Sequence, residues 1–173
     1  MTFVEIRRAT DADLPDLASV HVRAWQWAYR GLMDDAYLDA LDIQRRTDGW
    51  NRMILDRGAP RPHIAVVNGE LVGFIHADRS DDVDAGSQAG RVTALYLLEE
   101  HAGTGLGYRL WEGALDQLRG HGFSELSVWV LEGNQRGLLF YERMGLAWDG
   151  TTAEETIGVT VLSEMRYSMA LNP

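Results

Sequence analysis

Polar and apolar residues alternate through Phe3-Val4-Glu5-Ile6-Arg7, the pattern of an edge strand. Thr10 and Asp13 make a capping-box pair ahead of Leu14, Leu17, Val20, Val22 and Trp25, whose spacing is helical. Pro15 falls near the start of that helix, where proline is tolerated. Further helical stretches are predicted near residues 34–41 and 43–55. The largely apolar runs His63-Ile64-Ala65-Val66-Val67 and Glu70-Leu71-Val72-Gly73-Phe74-Ile75 flank Asn68-Gly69, the strongest short hairpin signal. Residues 80–90 are polar, acidic and glycine-containing, and read as a mobile surface loop.

A strand over residues 92–98 follows. Leu106, Leu110, Ala114, Leu115 and Leu118 then recur at helical spacing, with Gly120 expected to close the helix. Leu126, Val128 and Val130 share one face of another strand. Residues 134–144 read as a helix stopped by Gly145, and residues 161–171 as a final strand. Strands alternating with helices after residue 90 predict a mixed α/β sheet in a single domain.

Composition narrows the function classes. The chain has 173 residues and no cysteine, which excludes disulfides, a cysteine nucleophile and cysteine-based zinc sites. A net charge of −10 argues against nucleic-acid binding and leaves a cationic amine as a compatible substrate. No apolar run approaches a membrane span and Met1 to Thr10 lacks a signal-peptide core, so a cytoplasmic protein is expected.

The chemistry concentrates in two segments. Residues 95–107 read as a strand, a turn containing Gly103-Thr104-Gly105-Leu106-Gly107, and a helix start. Backbone N–H groups at such a helix end suit a phosphate or pyrophosphate. A dinucleotide fingerprint would need glycine at position 108, which is Tyr108, and a Walker A loop would need Gly-Lys-Ser/Thr, which is absent. An ordinary tight strand-to-helix turn remains open on these residues alone. Asn134 and Tyr141 lie seven residues apart, about two helical turns, so one extended ligand can meet both.

These segments resemble the GNAT superfamily of N-acetyltransferases. Residues 95–107 are similar to its acetyl-CoA motif, loosely L-Y-V-x-P-x-x-R/Q-x-x-G-x-G, and residues 134–146 to its N-x-x-A-x-x-F-Y-x-x-x-G-F motif. Residues 20–41, with Trp25, Ala28-Tyr29-Arg30-Gly31 and Tyr37-Leu38, resemble the N-terminal helices of bacterial members. The chain departs from the pattern at Glu99, at Ala102, where arginine or glutamine is usual, and at Leu146.

The resemblance implies a mostly antiparallel central sheet of about six to seven strands, a splayed parallel pair and helices on both faces. It implies acetyl-CoA as cosubstrate and no metal. Leu95 and Leu97 would pair their backbone with the pantetheine arm. Ala102, Gly103, Thr104, Gly105, Leu106 and Gly107 would cradle the pyrophosphate, and Asn134 would contact the cofactor. Tyr141, with a reference pKa of about 10, would protonate the departing thiolate. The backbone N–H of Leu97 would support the oxyanion. The acceptor would be a small-molecule or peptide amine, and a homodimer is among the assemblies implied.

Glu132, Glu99 and a water are the alternatives for the base, with His76 a further histidine near the strands. Arg109, Arg136 and Arg143 are available to meet phosphates. His21, Trp25 and Tyr29 share one helical face that either packs on the sheet or holds a cationic amine. Two functions stay open: an N-acetyltransferase acting by direct attack in a ternary complex, and a non-catalytic sensor of acyl-CoA on the same fold.

Overall fold

In the computed structural model, which describes residues 2–171, seven strands join in one sheet. They are β1 (Val4–Arg8), β2 (His63–Val67), β3 (Glu70–Arg79), β4 (Ala89–Leu97), β5 (Glu125–Leu131), β6 (Ala147–Ile157) and β7 (Thr160–Ala170). Their order is β1-β2-β3-β4-β5-β7-β6, so β1 is an edge strand as its alternation predicts. All pairings are antiparallel except β4 with β5. Asn68 and Gly69, with φ of 51° and 89°, make the turn that twists the β2–β3 hairpin in the favoured sense.

The helices are α1 (Leu14–Ala28), α2 (Asp35–Asp39), α3 (Ile43–Asn51), α4 (Leu106–Gly120) and α5 (Gln135–Arg143). Tyr96 faces the α1 side, its ring 5.1 Å from His21. Leu97, the next residue, points the other way, towards Gly107 of α4. Helices therefore cover both faces. Val130 and Tyr167 lie on the α5 side, against Gly137 and Glu142. Among the described residues, no helix is long and apolar enough to cross a membrane.

Several local expectations shift. The Thr10–Asp13 box caps a short 3-10 turn (Asp11–Asp13) that leads into α1, and Arg7 clamps Asp13 with two bonds of 2.8 Å. The third helical stretch is α3 followed by a wider π-type turn (Arg52–Asp56). Gly120 is the last residue of α4, as expected, and the left-handed residue that reverses the chain comes two positions later at Gly122, whose φ is 80°. Strand β6 has no counterpart in the hydrophobic pattern, because nearly all its residues are exposed and only β7 pairs with it.

Residues 80–90 are also not a free loop. Asp82 accepts from Trp129 Nε1 at 2.9 Å, and Asp84 takes both guanidinium nitrogens of Arg166 at 2.6 and 2.7 Å. Arg166 Nε also donates to Asp149 at 2.6 Å. This network ties the segment to β5 and β7, and β4 begins at Ala89.

His21 is caged by Trp25, Trp50, Phe74 and Tyr96, and its Nδ1 accepts from Trp50 Nε1 at 3.2 Å. Burial, then repulsion from Arg46, push its pKa down to about 3. The unfolded chain takes that proton near about pH 6.5. Stability is therefore full above that pH and declines on acidification, by roughly 1 kcal/mol per pH unit while only the unfolded state protonates. Thermal unfolding followed from about pH 7 to about pH 4 should show this decline, and His21→Asn should flatten it. An equal slope in the variant would assign the acid sensitivity to other groups.

Candidate active site

The site starts from one irregularity in β4. Ala77 pairs with Val92 and His76 with Ala94, so Thr93 is an extra residue, a β-bulge. Strands β4 and β5 pair only from Ala89 with Glu125 to Val92 with Val128. Beyond the bulge they part, leaving a wedge. A cavity of about 840 Å³ fills it, walled by the outer halves of β4 and β5, the end of α1, α5 and the β6–β7 ribbon.

Leu98 N–H donates to Val72 O of β3 at 2.9 Å. Because successive strand amides point to opposite edges, the N–H groups of Leu95 and Leu97 face the wedge. Both residues line the cavity.

At one end lies the glycine turn. Gly103 and Gly105 have φ of 76° and 87°, a region that disfavours side chains, and a Cβ on either would meet nothing within 4 Å. Gly105 is the N-cap of α4 with no side-chain cap, so the first-turn amides and the positive helix end remain available. Ala102, Gly103, Gly105 and Gly107 line the cavity. Leu106 instead packs in the core, 5% exposed. Thr104 Oγ1 donates to His101 O at 2.7 Å, and the Ala102 amide donates to Glu99 O at 3.0 Å, closing the turn. Ala102 therefore brings no polar side chain to the cavity.

Asn134 and Tyr141 both line the wedge, as their spacing suggests. Asn134 is the N-cap of α5: its Oδ1 accepts from Gly137 N at 3.0 Å, leaving its amide NH₂ for a ligand. Tyr141 is 8% exposed and packs against Phe140 and Trp111, with ring centroids 5.4 and 5.7 Å away. Among the described residues its hydroxyl has no hydrogen-bond partner. Burial pushes its pKa up, with Tyr96 adding to the effect, so it stays a phenol at neutral pH.

The remaining candidates divide. Arg136 and Arg143 line the cavity, with Arg136 stacked 4.1 Å over Trp27, whereas Arg109 is exposed outside it. Glu132 and Glu99 are exposed and outside the cavity lining. His76 bonds through both ring nitrogens, to Thr93 Oγ1 at 2.6 Å and Pro60 O at 3.0 Å, so it is a structural residue. Of the His21, Trp25 and Tyr29 face, His21 is core while Trp25 and Tyr29 line the cavity. Tyr29 and Tyr96 hydroxyls meet at 2.9 Å. Among the described residues, no group of three or more acidic or histidine side chains gathers as a metal site.

Sequence reasoning missed Glu155 and Glu164, which line the wedge from β6 and β7. Alternation around buried Leu162 puts Glu164 on the inward face of β7, a signal readable in the sequence. Glu155 had none, because β6 itself was not predicted. Burial raises the pKa of Glu164, the Glu155 carboxylate raises it further, and Arg91 opposes both.

The model of the acetyltransferase (GNAT) family matches residues 19–146. An uncharacterized N-acetyltransferase of Archaeoglobus fulgidus is 31% identical over 144 residues, spanning 83% of this chain and 92% of its own. The PaiA N-acetyltransferase of Thermoplasma acidophilum, solved in complex with coenzyme A, superposes with a TM-score of 0.71 at 22% identity, covering 95% of this chain and 99% of its own. Salmonella typhimurium YncA, solved with its cofactor acetyl-CoA, has a TM-score of 0.75 at 18% identity, covering 99% of this chain and 95% of its own. Those two share the fold, while the family model and the archaeal relative carry the sequence kinship. On these grounds the chain belongs to the acetyltransferase (GNAT) family.

Proposed function

We propose that this protein is an acetyl-CoA-dependent N-acetyltransferase that transfers acetyl to a primary amine of a small molecule or peptide. The observation that carries the reading is the continuity of one wedge from the uncapped α4 N-terminus to the unpartnered Tyr141 hydroxyl. Coenzyme A fits that shape chemically. It has a pyrophosphate for a helix end and an extended arm with amides for a strand edge. Solved relatives of this fold hold coenzyme A or acetyl-CoA, which supports the same ligand here.

Bound acetyl-CoA supplies an activated thioester. The amides of the Gly103–Gly107 turn hold the pyrophosphate, with Arg136 and Arg143 adding positive charge. Thr104 and Leu106 serve through their backbone, because the Thr104 hydroxyl is engaged locally and the Leu106 side chain is core. Ala102 contributes van der Waals contact in place of a longer side chain. Leu95 and Leu97 align the pantetheine arm along the open edge of β4, and Asn134 donates its NH₂ to the cofactor. Leu97 N–H stabilises the developing oxyanion, and Tyr141 gives its proton to the departing sulfur. With no cysteine in the chain to carry the acetyl group as a thioester, direct attack in a ternary complex is the favoured course.

The test combines calorimetry with acetyl-CoA and a thiol-release assay across a panel of primary amines. Binding with amine-dependent thiol release is expected. Binding without release for any amine would favour an acyl-CoA sensor, and absence of binding would overturn both readings.

A further inference from the structure

The wedge holds a pair of carboxylates that no step above uses. Glu164 pairs with Leu131 of β5 on one side and with Ala153 of β6 on the other. Directly paired residues share a face, and residues two apart along a strand return to it. Glu164 and Glu155 are therefore diagonal neighbours on the inward face, beside the parted end of β5. Both line the cavity that Tyr141 lines, and Tyr141 presents there an unpartnered hydroxyl from a side chain 8% exposed. The charge of Glu164 is felt at the Tyr29 and Tyr96 hydroxyls, which places it at the tyrosine cluster.

We propose that Glu164 is the base of the reaction, taking the proton of the acceptor ammonium, and that Glu155 is a positioning residue that keeps it basic. This rests on the acetyltransferase reading above. The groups around Glu164 are Glu155 from β6, Arg91 and Tyr96 from β4, Tyr29 from the end of α1 and Arg166 two residues along β7, while Tyr141 lines the same cavity from α5. Arg166 is committed to Asp82, Asp84 and Asp149, and Arg91 donates to Asp81. Of the charges that act on Glu164, Glu155 acts more strongly than Arg91, and it favours protonation of Glu164.

The protons balance. Glu164 removes one from R–NH₃⁺. The freed nitrogen bonds to the acetyl carbon and the carbon–sulfur bond breaks. Tyr141 supplies the proton of the thiol and recovers one from the new amide nitrogen. Glu164 passes its proton to solvent, so the products are the N-acetyl amine, coenzyme A thiol and one released proton.

The experiment is the pH dependence of kcat/KM for an accepted amine, with acetyl-CoA affinity measured by calorimetry on the same samples. Glu164→Gln should lower kcat/KM at neutral pH on the order of a hundredfold or more, with partial recovery as the amine loses its own proton at high pH. Glu155→Gln, at an exposed position, should move the acidic limb to lower pH, because removing a like charge makes Glu164 more acidic. Acetyl-CoA affinity should hold in both. Wild-type rate and acidic limb in folded Glu164→Gln would overturn the proposal, as would an unmoved limb in Glu155→Gln. A wild type that binds acetyl-CoA but transfers to no amine would instead overturn the parent reading, and the role of Glu164 with it.

Discussion

Tyr141→Phe should lower kcat by about 10²–10⁴-fold, the range for removing a general acid, while acetyl-CoA affinity changes little. The substitution is conservative where it matters for folding. Phenylalanine keeps the ring contacts to Phe140 and Trp111, and the lost hydroxyl breaks no hydrogen bond among the described residues. Removing a buried hydroxyl without a partner leaves stability unchanged or slightly higher. A fall in rate therefore reads chemistry rather than collapse. Because burial holds the phenol pKa above its usual value, the wild type should lose no activity through ionisation of this group at neutral pH. Steady-state kinetics, calorimetry and a melting curve on the same variant check each part. A kcat within twofold of wild type would remove Tyr141 from the acid role.

Gly105→Val should weaken acetyl-CoA binding about tenfold or more, with kcat at saturating acetyl-CoA changed far less. Position 105 needs φ of 87°, which costs a residue with a Cβ roughly 1–2 kcal/mol, and a β-branched one more. Space is not the obstacle, since a Cβ there meets nothing within 4 Å. The cost is purely conformational. If the turn keeps its shape, the strain appears as a lower melting temperature. If the turn relaxes, the first amides of α4 swing away from the phosphate position and affinity falls. Measuring both quantities apportions the strain, and Gly105→Ala should show the same direction at smaller size. Unchanged affinity with an unchanged melting temperature, the mark of a turn that has relaxed, would mean that these amides do not hold the pyrophosphate.

The two predictions differ in how far the sequence alone could reach them. The turn at Gly105 is written locally: glycine marks the positive φ, and the apolar spacing from Leu106 marks the helix it caps. Asn134 is likewise local, since an N-cap acts on an amide three residues on. Tyr141 could be placed on a helix face, but its missing hydrogen-bond partner emerges only from packing. Glu132 and Glu99 drew attention because they end strands, yet strand ends are commonly solvated, as both are. Glu164 lines the cavity instead. Its face follows from alternation in the last strand, but its neighbour Glu155 depended on a ribbon with no hydrophobic signature. The segment 80–90 misled for a similar reason. Its acidic composition suggests mobility, and its anchors, Trp129 and Arg166, come from distant strands.

By itself the sequence determined the helices, the inner strands, the tight turn at Asn68-Gly69 and the phosphate-suited helix start. Each rests on interactions within a few residues, which side-chain period and turn chemistry encode directly. The tertiary structure decided the rest: the bulge at Thr93, the wedge between β4 and β5, the tyrosine pair across 67 positions, and the facing of Glu155 and Glu164. Strand alternation assigns a residue to a face, but only the order of strands in the sheet decides which charged neighbour stands beside it there.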